Sequence, residues 1–200
     1  MIIKGVLFDF DGTLTLPGAL DFPAIKREMG CPADQTILEY LETLPSAERA
    51  VPLKILEEKE MAAAETSSPN NGAEKCISVL KKRGVILGIL TRNSLSSVKR
   101  ALRQFSDVTV KDFAAIITRD YSLPKPNPDG VYKAARQMGL LPSQLLMVGD
   151  FRFDVIAGKA AGARTVLVAD ERRSVMEPGD PEPDYTVSDL EGLIGILESD

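Results

Sequence analysis

Hydrophobic positions follow two rhythms along this chain, and the change between them falls near Gly72. An opening stretch, Ile2 to Thr13, carries the continuous apolar run Val6-Leu7-Phe8 with Gly12 as a breaker beyond it, which predicts a short strand buried on both faces. From Leu20 to about Glu65 the spacing is helical. Phe22, Ile25 and Met29 recur on one face, then Ile37, Leu41 and Leu44, with Gly30, Pro32 and Pro45 as punctuation. A third helix is predicted over Ser46–Glu65, containing Val51, Ile55, Leu56 and Met61, with Pro52 in its first turns. The apolar faces of this block are narrow and its Glu and Lys content is high, so it reads as a compact helical insertion covering something. SSPNNG at 67–72 is a linker.

Beyond Gly72 helices and strands alternate, which predicts parallel βαβ units. Ala73, Cys76, Ile77 and Leu80 form a helical stripe ending near Gly84, and Val85–Leu90 is a strand that stops at Thr91-Arg92-Asn93. Leu95, Val98, Leu102 and Phe105 mark the next helix, and Ala114–Thr118 the next strand. After the rigid loop Pro124-Lys125-Pro126-Asn127-Pro128, the residues Val131, Ala134, Ala135 and Met138 give a helix. Leu145–Val148 is a strand running into Gly149-Asp150, residues 151–161 a helix stopped by Gly162, and Thr165–Val168 a strand. The acidic, Pro-rich segment Glu177–Asp184 is a loop, followed by a short edge strand at Tyr185–Val187 and a closing helix at Asp189–Leu197.

Composition narrows the function more than the fold. The 200 residues are 44% apolar, enough for one ordinary core plus a small insertion. A net charge of −5, with no stretch that interleaves Lys and Arg with aromatics, argues against a nucleic-acid surface. Lys81, Lys82 and Arg83 suit the C-terminal end of a helix dipole. No apolar run approaches a membrane span and the opening strand lacks a signal-peptide pattern, so a cytoplasmic location is expected. Cys31 and Cys76 are too isolated for a disulfide framework. The chain has no histidine, which excludes Ser-His triads and imidazole relays; acid–base chemistry near neutral pH falls to carboxylate, Lys, Tyr or Cys, and the metal that suits such ligands is a hard one such as Mg²⁺.

The candidate chemistry sits at strand ends. Side chains alternate across a strand, so Asp9 and Asp11 point to one side and Phe10 to the other if the extended geometry persists. Two such carboxylates are costly together unless a cation or a shared proton compensates them. Taken alone, DxDG equally fits a strand end followed by a turn. Residues 9, 11, 91, 125 and 150 nevertheless all follow strands or lie in nearby loops, and that edge of a parallel sheet is where ligands bind.

These stretches, DFDGT at 9–13, Thr91 at the end of the second core strand, Lys125 in KPNP and GDFRFD at 149–154, occur in the order found in the haloacid dehalogenase superfamily of phosphohydrolases, which the chain resembles over nearly all its length. The branch it is most similar to is the phosphoglycolate phosphatase-like one with a helical cap. The resemblance implies an α/β fold, with a Rossmann-like three-layer core around a parallel sheet (residues 1–14 and 72–200) and a small all-helical cap inserted after the first strand (residues 15–71). It implies a phosphatase in which Asp9 attacks phosphorus, Asp11 acts as acid and base, Thr91 and Lys125 serve catalysis and bind phosphate, and Arg92 and Asn93 join the phosphate contacts. The implied cofactor is Mg²⁺, held by Asp9, Asp11 through its backbone carbonyl, Asp150 and Asp154. The implied partner is a small-molecule phosphomonoester, with no nucleic acid and no membrane; association as a homo-oligomer is left open.

One departure concerns the site. Phe151 follows the Gly-Asp pair where many members of the superfamily carry a small residue, so it narrows the floor of the site or packs behind it. The insertion, at about fifty residues, is short for a cap and has room for three or four helices. Two other functions share most of these residues: a phosphomutase of the β-phosphoglucomutase type, and a phosphate-binding module without turnover. A true dehalogenase fits less well, because it needs no metal and has no carboxylate at the position of Asp11.

Overall fold

The computed structural model describes residues 3–169 and 175–199. Ile2, at the head of the opening stretch, lies outside the described residues. Six strands, β1 (Gly5–Phe8), β2 (Ile86–Leu90), β3 (Ala115–Ile117), β4 (Leu145–Gly149), β5 (Arg164–Val168) and β6 (Tyr185–Val187), form one sheet in the order β3-β2-β1-β4-β5-β6, every pairing parallel. Between them run α4 (Ala73–Lys82), α5 (Leu95–Ala101), α6 (Asp129–Met138) and α7 (Arg152–Ala161), with α8 (Leu190–Ser199) closing the chain. Three further helices, α1 (Phe22–Met29), α2 (Ile37–Thr43) and α3 (Ala50–Thr66), are inserted between β1 and α4.

The alternation of side chains along the strands explains why helices cover both faces. Val6, Phe8, Leu87, Ile89, Leu146 and Val148 point to one side, where Ala73, Cys76, Ile77 and Leu80 of α4, Val98 of α5 and Leu190 and Leu193 of α8 bury them. Leu7, Leu90, Ala115, Ile117, Leu145 and Met147 point to the other, against Val131, Ala134 and Met138 of α6 and Ala157 and Ala161 of α7. The result is a three-layer α/β/α core of Rossmann-like strand order. At about 25 cal/mol per Å² of apolar surface removed from water, these two buried faces supply most of what holds the layers together.

The insertion has an apolar cluster of its own, Ile25, Met29, Cys31, Ile37, Leu41 and Leu56. The helix predicted over Ser46–Glu65 begins only at Ala50. The chain turns first, Glu48 N–H donating to Pro45 O, and Arg49 then opens α3: its carbonyl accepts the Leu53 N–H while its guanidinium donates to the carbonyls of Leu44 and Glu42 at the end of α2. The two connections into the insertion are tied to each other. Thr15 and Pro69 form an antiparallel bridge, Leu16 N–H donates to Ser68 O, and Asn70 Nδ2 donates to the carbonyls of Gly12 and Thr13 at 3.0 Å. This clasp fixes the loop that carries Asp11. Among the described residues no helix is long and apolar enough to cross a membrane.

Candidate active site

The strand order reverses between β1 and β4, and connections leave these neighbours in opposite directions, which opens a crevice at their C-terminal ends. Asp9 follows β1 and Asp150 follows β4, so the two carboxylates arrive at that crevice from adjacent strands; Asp9 N–H donates to Val148 O at 2.8 Å across the pair. Phe10 turns into the core and is fully buried, leaving Asp9 and Asp11 on the side of the crevice. The spacing read from the sequence therefore holds in three dimensions.

Lys125 reaches the crevice from the loop before α6. Its ammonium is buried and donates to Asp9 Oδ1 and, at 2.5 Å, to Asp154 Oδ1. Desolvation opposes the charge, but the flanking carboxylates of Asp154 and Asp9 outweigh it and hold the Lys125 pKa above its ordinary value. Asp154 sits on the first turn of α7, where its Oδ2 also accepts from the Phe151 N–H at 3.2 Å. Two glycines make the arrangement sterically feasible. A Cβ on Gly149 would stand 2.1 Å from Asp154 Cγ, and a Cβ on Gly12, whose φ of +84° already favours glycine, would stand 2.4 Å from Asp150 Oδ2.

Asp11 and Asn93 meet on the far side of Asp9. Asn93 Nδ2 donates to Asp11 Oδ2 at 2.6 Å. Burial, with the negative charge of Asp9 next, pushes the Asp11 carboxyl up to about 8, so it holds a proton at neutral pH. Thr91, buried at the end of β2, accepts the Asn93 N–H on its Oγ1 at 3.1 Å, which shapes the turn into α5.

Arg92, read from the sequence as a phosphate contact, goes elsewhere. Its guanidinium donates to both carboxylate oxygens of Glu39 on α2 (3.0 and 2.7 Å) and to the Lys125 carbonyl, and it lies over the Phe153 ring at 5.1 Å. The physical reason is charge: Glu39 offers a bidentate partner within reach, and the arginine fork fits it. Phe151 neither fills the floor nor packs behind it. Its ring is exposed and meets Phe153 edge-on at 4.9 Å.

Three groups that sequence reasoning missed complete the surroundings. Thr13 Oγ1 donates to Asp150 Oδ1 at 3.2 Å. Glu60 of α3, only 3% exposed, accepts the Ser94 N–H at 3.3 Å and pairs with Arg119, which follows β3. Arg119 also donates to the carbonyls of Arg92 and Asn93, so this pair braces the Thr91–Ser94 turn against the insertion. Thr13 belongs to DFDGT, and Glu60 lies on the helical stripe Leu56–Glu60–Ala64, the one signal that could have marked it.

The donor set suits a divalent cation. Asp9, Asp150 and Asp154 each present a carboxylate oxygen, all within 4.8 Å of one another, and among the described residues Lys125 is the ammonium paired with two of them, Asp9 and Asp154. Three carboxylates against a single ammonium leave excess negative charge that a hard, oxygen-seeking cation relieves. Burial, with the neighbouring charge of Asp9, raises the Asp150 carboxyl to about 6. Burial also raises Asp154, against the pull of Lys125, to about 7. A cation binds the deprotonated forms, so protons compete with it as the pH falls through these values. Calorimetric titration with Mg²⁺ is therefore expected to show affinity rising from pH 5.5 to pH 7.5, by about tenfold per unit for each proton displaced. A pH-independent affinity would contradict the assignment of these carboxylates.

With this geometry in view, comparison with known proteins identifies the class. The model of the haloacid dehalogenase-like hydrolase family matches residues 17–168, and the chain belongs to that family. The hydrolase YOR131C of Saccharomyces cerevisiae is 31% identical to it, over 98% of this chain and 92% of the yeast protein. The pyrophosphatase PpaX of Oceanobacillus iheyensis is 28% identical, over 98% of each chain. In fold it is similar to the crystal structure of a hydrolase from Pseudomonas syringae, with a TM-score of 0.80 at 19% identity and 98% of each chain covered. The protein is thus a haloacid dehalogenase-like hydrolase with phosphatase-type relatives.

Proposed function

We propose that this hydrolase is a Mg²⁺-dependent phosphatase that cleaves a small phosphomonoester through an aspartyl phosphate on Asp9. The observation that carries the reading is the meeting, at one crevice, of a buried carboxylate held by an ammonium (Asp9 with Lys125) and a second carboxyl two residues on, Asp11, held by Asn93 and pushed up by burial and the charge of Asp9. One Asp9 oxygen attacks phosphorus while the bond from phosphorus to the leaving oxygen breaks, and Asp11 delivers its proton to that oxygen. Asp11, now a carboxylate, takes a proton from water, the hydroxide attacks phosphorus, and the Asp9–phosphorus bond breaks to release inorganic phosphate. Lys125 offsets the repulsion between Asp9 and the incoming phosphate. Thr91 and Asn93, on the turn into α5, offer a hydroxyl and N–H groups to the phosphate oxygens.

Asp9, Asp150, Asp154 and the backbone carbonyl of Asp11 would hold Mg²⁺. Its chemistry there is to mask phosphate charge and align the reactants. In this reading residues 15–71 act as a cap over a core of residues 1–14 and 72–200, and Arg92, through Glu39, holds that cap over the Thr91 turn. The two free, buried cysteines suit a reducing, cytoplasmic setting.

The pyrophosphatase relative makes pyrophosphate the substrate to compare first. A screen of phosphorylated metabolites, p-nitrophenyl phosphate and pyrophosphate for phosphate release is expected to show turnover that EDTA stops and Mg²⁺ restores. Rates unchanged in EDTA would reject the metal role. Formation of an isomeric phosphate ester without net phosphate release would replace the phosphatase by a mutase.

A further inference from the structure

Beside Asp11 the crevice opens into a cleft of about 340 Å³ lined by Asp11, Gly12, Asp150, the loop Leu16–Leu20 and Phe22. The position of this cleft has a chemical meaning. The group that protonates the leaving oxygen must touch it, so whatever departs from phosphorus lies against Asp11, and the cleft is the space available there.

Its lining is apolar apart from the two acids, and no basic side chain contributes to it. Leu16 and Phe22 are 42% and 50% exposed, large apolar surfaces left open at the mouth of a site. Four neighbouring cations have carboxylate partners, while Lys26 and Arg27 on α1 lie outside the lining, Lys26 donating to the Ala33 carbonyl. Lys125 pairs with Asp9 and Asp154, Arg92 with Glu39, Arg119 with Glu60, and Arg152 with Asp180 and Glu177. At the start of α1 the Asp21 carboxylate accepts the Ala24 N–H at 2.9 Å, its carbonyl accepts that of Ile25, and Pro23 has none to offer. A second phosphate or a carboxylate on the leaving group would find no basic side chain on these walls to replace the water it gives up.

We infer that the leaving group of the substrate is uncharged and carries an apolar face, as an aryl or alkyl alcohol does, and that Leu16 and Phe22 select it. The inference rests on the phosphatase reading and narrows its substrate class. Phosphomonoesters of glycolate, glycerate or a second phosphoryl group are disfavoured; esters of benzyl alcohol, phenol or a short alkanol are favoured. Contact with one half-exposed aromatic ring is worth a factor of about ten in kcat/KM.

The test compares kcat/KM for benzyl phosphate with that for phosphoglycolate and pyrophosphate on the full chain with Mg²⁺. Benzyl phosphate is expected to be preferred by about tenfold or more. In Phe22→Ala the preference ratio is expected to fall by about tenfold, and in Leu16→Lys, which sets a cation on the wall, to invert toward phosphoglycolate. Equal or better turnover of the anionic substrates by the unmodified protein overturns the inference and leaves the phosphatase reading standing. No phosphate release from either class overturns both. A preference ratio that survives both substitutions removes Leu16 and Phe22 as its origin and overturns their assignment.

Discussion

Replacing Asp9 by asparagine is expected to lower phosphate release from p-nitrophenyl phosphate on the order of 10⁴-fold or more while the fold is retained. The amide occupies nearly the same volume, and its oxygen can still accept from Lys125, but it is no longer a nucleophile, because its electron density is delocalised into the C–N bond. Electrostatics favour the survival of the fold. Three carboxylates share one paired ammonium in the wild type, and Lys125 keeps Asp154 as a partner when the charge at Asp9 is removed. The substitution also takes one carboxylate from the candidate metal ligands, so assays need Mg²⁺ well above the wild-type requirement to separate lost chemistry from lost metal. Circular dichroism and a thermal melt establish folding, and stopped assays measure phosphate. Turnover near the wild-type rate in a folded, Mg²⁺-saturated variant would remove Asp9 from the mechanism.

Much of this architecture is legible in the sequence because strands buried on both faces leave continuous apolar runs. Val6–Phe8 and Leu145–Val148 can be read that way, and each ends in an aspartate at the crevice. What a single sequence conceals is the partner chosen by a long side chain. Arg92 sits beside Thr91 in the chain, yet its guanidinium follows Glu39, a residue of α2 that nothing in the local pattern ties to it. Glu60 is hidden for another reason. It stands among Glu57, Glu58 and Lys59, a run that reads as solvated surface, and only the crossing of α3 over α5 turns its face inward. The upward push on the Asp11 carboxyl comes first from enclosure, which the DxDG spacing does not reveal, and then from the charge of Asp9, which it does. The start of α3 is displaced for a local reason: the chain first closes a turn from Pro45 O to Glu48 N–H, and only Arg49 beyond it opens the helix.

The buried pair between Glu60 and Arg119 leads to the second large effect. Arg119→Met keeps much of the aliphatic bulk but strands Glu60 beneath α3 without its cation, and breaking a buried pair from one side costs about 3–5 kcal/mol. The pH dependence has a definite sign. Burial raises the Glu60 carboxyl even against the opposing hydrogen bond and charge of Arg119, and removing the arginine removes that opposition. In the variant the folded state therefore binds a proton that the unfolded state has already lost above the ordinary carboxylate range, and stability falls as the pH rises through that window. Urea unfolding should accordingly show a larger penalty at pH 8 than at pH 5, where the protonated Glu60 needs no counter-charge. Glu60→Leu in the Arg119→Met background should recover most of the loss, because it replaces the stranded carboxylate by a group of similar size that asks for no partner. A penalty below about 1 kcal/mol at pH 8 would mean that water reaches Glu60 and that the pair is an ordinary surface contact. A full penalty with unchanged catalysis would separate the bracing of the Thr91–Ser94 turn, where Arg119 donates to the Arg92 carbonyl and Glu60 accepts the Ser94 N–H, from its chemistry.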